Sequence, residues 1–410
     1  MTEVFCGIDW AEGHHDIALV DSQGRLLSSQ RVAESAAGLA ELLDLLSTHG
    51  DRIEDRIPVA IETTRGLLVA ALRSSGRDVY AINPMAVARY RERHTVSRKK
   101  SDTQDAAALA NILRTDRHAH RPLPQDSELV QSIAVLARAQ QDAVWDRQQH
   151  ANRIRSVLRE YYPSALKAFP HTSDLSSPTA RLLLRTVPTP SQAAVLTGSQ
   201  LRRILLKSGR TRNIEATVTR LLPILREAAM HQLPGVEAAF GTQLTALLGQ
   251  LDAACAGLDA LTLAVEELFG THPDAGILTS FPGLGPIAGA RVLAEIGDDR
   301  TRFATAGSLR AYAGAAPVTR ASGKSRTVLA RRVKNNRLAA AGYVWAFSAL
   351  TRSPGARAHY DRRKSTGDRH TAAQRNLFNR LLGCLYYCLQ TRHEYNEAAA
   401  FPTTAASAAP

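Results

Sequence analysis

The chain has 410 residues, 44% of them apolar, which is enough for two or three domains with real cores and excludes a disordered protein. Its net charge of +13 points to a polyanionic partner. The four cysteines (Cys6, Cys255, Cys384, Cys388) suggest no disulfide framework, no apolar run approaches membrane-spanning length, and the first residues lack a signal-peptide pattern, so a cytoplasmic chain is expected.

Residues 4–9 read as a buried strand ending in an acid, residues 15–20 as a second strand and residues 26–32 as a third. His14 and His15 open the second strand, where an exposed pair is expected. Residues 38–46 have helical spacing through Leu39, Leu42, Leu43 and Leu46. A fourth strand, residues 58–62, again ends in an acid. A helix over 65–74, a fifth strand over 78–82 and a helix opened by Pro84 follow. The expected order is β-β-β-α-β-α-β-α, an α/β arrangement. A basic run (Arg89, Arg91, Arg93, Arg98, Lys99, Lys100) then leads into a helix over 102–113.

Asp102 and Asp105 are three apart, so both carboxylates leave one face of that helix. Asp9 and Glu62 end two strands expected to be neighbours, where ligand sites of α/β sheets gather. Four such carboxylates suit two Mg²⁺ ions about 3.5–4 Å apart for in-line phosphoryl transfer. Each acid also has a plainer role open to it. Asp102 suits a helix start, Asp9 a solvated turn, and Glu62 a pair with Arg65.

Beyond residue 125 the pattern turns helical. Residues 126–161 form one amphipathic stretch, 163–190 are richer in Pro, Ser and Thr and are expected to hold a connection, and 201–230 are basic and helical. Leu244, Leu247, Leu248, Leu251, Cys255, Leu258, Leu261, Val265 and Leu268 recur at three and four, as in a coiled coil, a long helix pair or a plain core helix. Residues 281–286 (Phe-Pro-Gly-Leu-Gly-Pro) are similar to a helix-hairpin-helix turn, whose glycines let backbone N–H groups approach phosphate. Helices are expected over 303–314, 338–350 and 368–389, broken at Ser353-Pro354-Gly355, with a disordered tail over 396–410.

The positive charge is concentrated late in the chain. Residues 281–395 hold 20 Lys/Arg against 6 Asp/Glu, and residues 301–340 hold nine basic residues and no acid. A solvated surface usually mixes signs, so this block argues for phosphate contacts. The expected contacts are Arg320, Lys324, Arg326, Arg331, Arg332 and Lys334, joined by Arg98, Lys99 and Lys100 upstream. Gly323-Lys324-Ser325 is not a phosphate-binding loop, because that motif needs Gly where Val318 stands. Ser322 lies among the cations, with Gly323 to expose it, as a candidate nucleophile; an ordinary Ser-Gly turn is the alternative, and Ser325 lies close by.

Residues 7–10 (Gly-Ile-Asp-Trp), 61–64 (Ile-Glu-Thr-Thr) and 100–106 (Lys-Ser-Asp-Thr-Gln-Asp-Ala) resemble the DEDD motifs of the insertion sequence 110 family of transposases. Residues 281–286, 309–314 with Pro317, and 322–324 resemble the same family's C-terminal domain. The resemblance implies an RNase H-like (RuvC-type) catalytic domain over 1–125, a helical and coiled-coil region over 126–275, and a mostly helical transposase domain over 276–395 with a catalytic serine. It implies Asp9, Glu62, Asp102 and Asp105 as Mg²⁺ carboxylates and Ser322 as nucleophile. It also implies donor and target DNA, a bridge RNA from the element's non-coding end, and action on the nucleoid; a homo-oligomer is expected from the three/four leucine spacing over 244–268. Two other readings stay open: a metal-dependent nuclease or junction resolvase using water, and a non-catalytic nucleic-acid-binding protein.

Overall fold

Five strands form a mixed sheet in the order β3-β2-β1-β4-β5. The central strand β1 (Val4–Trp10) runs antiparallel to β2 (His14–Asp21) and parallel to β4 (Val59–Ile61). β3 (Leu26–Ala33) extends the antiparallel side and β5 (Val79–Ala81) the parallel side. The protein is described by a computed structural model covering residues 3–94, 102–228, 230–323 and 325–402, with backbone alone for His94, Asp102 and Thr103. The chain divides into two compact units, Met1–Gln125 and Asp126–Pro410.

Helices cover both faces of the central strands, which is why β1, β2 and β4 carry near-continuous apolar runs, whereas the edge strand β3 is polar and largely exposed. On one face α1 (Ala36–Thr48) and α2 (Leu67–Ser74) enclose Ile8, Ile17, Leu19 and Ile61. On the other, α3 (Pro84–His94) and α4 (Asp102–Asp116) enclose Phe5, Val20, Ala60 and Tyr80. Strand alternation separates the two histidines expected to be an exposed pair. His14 is part-exposed, but His15 is buried and its ring lies 2.6 Å from the Glu34 carboxylate. A buried pair, Arg77 with Asp51, ties the end of α2 to the loop after α1.

Among the described residues, the second unit has one hairpin and is otherwise built of helices. α5 (Glu128–Tyr161) leads into α6 (Pro163–Ala168), α7 (Pro178–Thr186), α8 (Pro190–Ala194), α9 (Gly198–Lys207) and α10 (Ile214–Leu225). The stretch expected to hold a connection over 163–190 is thus largely short helices. Pro163, Pro178 and Pro190 each stand at the start of a helix, where a missing N–H costs nothing.

α11 (Pro234–Gly270) packs lengthwise on α5. Leu244, Leu248, Leu251, Cys255 and Leu258 of its apolar stripe are buried in this chain's own core. Contrary to the expectation that no apolar run approaches membrane-spanning length, α11 is long and apolar enough by length and composition, because charges are sparse among its Leu, Ala and Gly residues. Only one stripe of α11 is buried, Leu244, Leu248, Leu251, Cys255, Leu258, Val265 and Phe269 among it, and most of the helix surface is exposed.

The remaining elements are α12 (Ala275–Thr279), α13 (Pro286–Ile296), α14 (Ala306–Tyr312), the hairpin β6 (Val318–Ser322) and β7 (Ser325–Leu329), α15 (Asn336–Ala349), α16 (Pro354–Ser365), α17 (His370–Thr391) and α18 (Glu397–Ala400). The helices among them, but not the hairpin, pack around a core at Trp345 with Val130 and Ile133 of α5 and Phe269 of α11. The turn at 281–286 is fastened inward: Trp345 Nε1 donates to the Pro282 carbonyl at 3.2 Å, and Phe281 packs edge-on against the Trp345 ring. α18 is capped by Asn396 and buries Ala400, where a tail was expected from residue 396; residues 403–410 lie outside the described residues.

Candidate active site

The parallel register Gly7↔Ala60 and Ile8↔Ile61 brings Asp9 and Glu62 to the same end of neighbouring strands. Side chains alternate along a strand, so Asp9 shares a face with Gly7, and Glu62 with Ala60. That face is covered by α4. A Cβ on Gly7 would collide with the Ala106 carbonyl oxygen and the Ala110 nitrogen, so the helix backbone rests directly on the strand. Asp105 immediately precedes Ala106 and is 4% exposed.

Sequence reasoning missed a further acid on this face. Asp16 lies directly across from Asp9 in the antiparallel register and is 6% exposed. Arg31 clamps it through Nε–Oδ1 at 3.1 Å and Nη2–Oδ2 at 2.8 Å, which balances its charge. Asp16 occupies an inward position of a strand, and only the pairing with β1 sets it beside Asp9.

Asp105 accepts a 2.6 Å bond from Arg91 Nη1 of α3. The fourth acid, Asp102, stands at the start of α4, and its side chain lies outside the described residues. Among the described residues no three His, Cys, Asp or Glu side chains already form a group able to hold a metal. The donor chemistry nonetheless fits a hard divalent cation. Asp9 and Glu62 offer carboxylate oxygens from adjacent strand ends, and Asp105, on the helix that covers their face of the sheet, already engages the Arg91 guanidinium.

Ser322 lies on a fully different scaffold, the β6–β7 hairpin, for which the sequence reading expected only a turn. Ser322 pairs with Ser325 across the tip, and Gly323 has φ 55°, the left-handed conformation that a two-residue hairpin turn requires. Paired residues share a face, so Ser322, Ser325, Arg320 and Thr327 project together, with Ala321 and Arg326 on the other side. Both strands are exposed almost throughout. Arg320, Arg326, Arg332 and Lys334 are exposed, and Arg331 is half-buried against the Ala316 carbonyl. Arg98, Lys99, Lys100 and Lys324 lie outside the described residues.

The root of the hairpin is held by polar groups that the sequence did not single out. Asn335 donates from its main chain to the Tyr312 carbonyl (2.8 Å) and from Nδ2 to the Tyr312 hydroxyl (2.7 Å) and Glu295 Oε2 (2.6 Å). Its Oδ1 caps α15 through Leu338 N–H at 2.9 Å. Arg138 of α5 holds the other oxygen of Glu295 at 2.7 Å, and Arg302 lies over the Tyr312 ring while donating to its hydroxyl at 3.0 Å.

A transposase model of the DEDD IS110 type matches residues 6–163, and the Transposase IS116/IS110/IS902 family model matches residues 275–361. The chain is therefore a transposase, an enzyme acting on DNA. It is 62% identical to the mini-circle putative transposase for IS117 of Streptomyces coelicolor, over 97% of this chain and 96% of that protein. It is 31% identical to the insertion element IS900 uncharacterized 42 kDa protein of Mycobacterium paratuberculosis, over 98% and 99% of the two chains. An insertion element IS116 uncharacterized 44.8 kDa protein of Streptomyces clavuligerus is 30% identical over 98% of each. The chain belongs to the IS110 family of transposases.

Proposed function

We propose that this transposase cuts and rejoins DNA with two sets of residues: Asp9, Glu62, Asp102 and Asp105 as Mg²⁺ ligands in an RNase H-like unit, and Ser322 as the nucleophile. The observation that carries the reading is the register that sets Asp9 beside Glu62 under the helix bearing Asp105. A pair of bound Mg²⁺ ions would supply charge neutralisation to a phosphodiester and lower the barrier to displacement.

In the proposed step the Ser322 hydroxyl oxygen bonds to phosphorus as the bond from phosphorus to a deoxyribose oxygen breaks. The serine proton leaves, and the departing oxygen gains one. Rejoining reverses the exchange with a different strand end. The exposed hairpin tip and the surrounding acid-free cations support this role, since they offer the hydroxyl to a phosphate whose charge they balance. We also read the chain as working in a homo-oligomer with a bridge RNA, on the strength of its family resemblance and the basic excess of its C-terminal third.

Quenching a reaction with denaturant tests the serine. A protein–DNA adduct mapping to Ser322 in wild type, absent in Ser322→Ala and kept in Ser325→Ala, is expected. Strand cleavage without any adduct favours the water-using nuclease, and an adduct on another residue removes Ser322 from the reaction. Guidance is tested by sequencing nucleic acid that co-purifies with the protein. A discrete RNA from the element's flank is expected, and full recombination after RNase treatment argues against it.

A further inference from the structure

We propose that a pocket bounded by α17, residues 393–396 and α18, with Arg310 of α14 reaching into its lining, binds a phosphate ester of a nucleotide, a role independent of the carboxylate and serine assignments. The pocket has a volume of about 680 Å³, the size of a small-molecule site, and Arg310, Arg380, Cys384, Tyr387, His393 and Tyr395 are among its lining residues.

Arg310 is the reason for a ligand. Its guanidinium lies so close against Gly383 of α17 that any side chain there would overlap it. A glycine inside a helix weakens that helix, and the guanidinium accounts for its place. The buried Nε of Arg310 has no hydrogen-bond partner, and Arg310 makes no ion pair among the described residues, although Glu394 also lines the pocket. A half-buried cation without a counter-charge is costly, and a bound anion removes the cost.

The second arginine is fixed in place without being neutralised by an acid. Arg380 donates through Nε and Nη2 to the Ala400 carbonyl at 2.8 and 2.6 Å, and lies over the Phe401 ring. Two guanidinium groups thus serve one pocket, and their planar forks match phosphate oxygens. Cysteines, alanines and two tyrosines complete much of the lining; Tyr395 packs on Phe281 and donates to Glu397 at 2.7 Å, which leaves the exposed Tyr387 as the aromatic side chain a base can stack on. An isolated inorganic anion would use the arginines and leave Tyr387 uncovered, whereas a nucleotide uses both.

Cys384 lines the pocket and is half-buried, so its alkylation rate reports occupancy. The full-length protein is labelled with a maleimide alone, with a deoxynucleoside monophosphate, with a short single-stranded oligonucleotide, with inorganic phosphate, and with chloride at matched ionic strength. Labelling is read by peptide mass spectrometry, with buried Cys255 as the folding control.

The expected result is at least fivefold slower Cys384 labelling with a nucleotide or oligonucleotide than with chloride. Protection by the oligonucleotide alone assigns the site to a nucleic-acid backbone, and equal protection by the monophosphate assigns it to a free nucleotide. Arg310→Gln should remove the protection. Arg310→Lys keeps the charge but loses the fork, and should weaken it. If Arg310→Gln exposes Cys255, the lysine variant decides. Protection no greater than with chloride, protection by inorganic phosphate equal to that by nucleotide, or protection unchanged in a folded Arg310 variant overturns the proposal.

Discussion

Gly7 of β1 lies directly beneath Ala106 of α4, so closely that the helix carbonyl occupies the space a Cβ would need. This contact sets the height of the helix above the strand end that carries Asp9. Gly7→Ala must push two backbones apart, and neither has a side chain that can swing aside. Overpacking of this kind costs ~1–3 kcal/mol, and the upper end is expected here. The variant should lose most strand-cleavage activity and show faster hydrogen exchange in α4. Wild-type exchange with wild-type activity would mean that the helix height is unimportant to the carboxylates.

The Arg91–Asp105 pair makes a second prediction. If Asp105 binds a metal, Arg91 competes for the same carboxylate. The pair is partly exposed and contributes ~0.5–1 kcal/mol, so Arg91→Ala should tighten divalent-ion binding by about two- to fivefold. Mn²⁺ titration followed by electron paramagnetic resonance measures this without any DNA. Asp9→Asn, Glu62→Gln and Asp105→Asn should each weaken binding in the same titration. Tighter binding in Arg91→Ala together with wild-type affinity in all three acid variants would move the metal elsewhere.

The first unit was legible in the sequence because β1, β2 and β4 are buried on two faces and α1 carries a plain apolar stripe. Asp9 and Glu62 stood out as acids ending apolar runs, but the parallel register that makes them neighbours has no local signature. Asp16 was invisible for a related reason, since an acid inside a strand declares nothing about what lies across from it. The β6–β7 hairpin lacks a buried face, so it has little of the apolar alternation that marks a strand. Val318, Thr319, Thr327 and Val328 were a usable β-branched signal. At 163–190 the prolines suggested a connection, although proline opens helices as readily as it breaks them. The contacts of Asn335 reach Glu295 and Tyr312 across 40 and 23 residues, beyond any local pattern.

Acid sensitivity should trace to Asp51. Burial favours its neutral form, but bonds from Arg77, Ile57 N–H and Arg56 outweigh burial and hold its pKa below the ordinary carboxylate value of 3.8. A depressed folded pKa adds stability that is present above the unfolded value and lost as pH falls through the folded one. Hydrogen exchange of β1 and β4 should therefore speed up below about pH 4. Asp51→Asn leaves Arg77 buried without its counter-charge and should destabilise the unit at neutral pH by ~3–5 kcal/mol. The variant should also lose much of the acid-induced change. An acid response equal to that of wild type would locate the titrating group elsewhere.

Asn335 has two separable roles. Its Oδ1 caps α15, and its Nδ2 joins Glu295 to Tyr312 at the root of the hairpin that bears Ser322. Aspartate caps a helix about as well as asparagine, so Asn335→Asp preserves the first role. It fails in the second, because a carboxylate cannot donate to Glu295 and instead sets a like charge beside it. Asn335→Ala loses both, including ~1 kcal/mol of capping. If Asn335 only caps, the aspartate variant should behave as wild type and only alanine should be impaired. If the hairpin root positions the serine, adduct formation should fall at least tenfold in both variants while DNA binding at equal salt stays near wild type. Arg138 would partly offset the extra charge in Asn335→Asp, so lowering the pH should restore adduct yield in that variant more than in Asn335→Ala. Wild-type adduct formation in Asn335→Asp would leave Asn335 as a helix cap and nothing more.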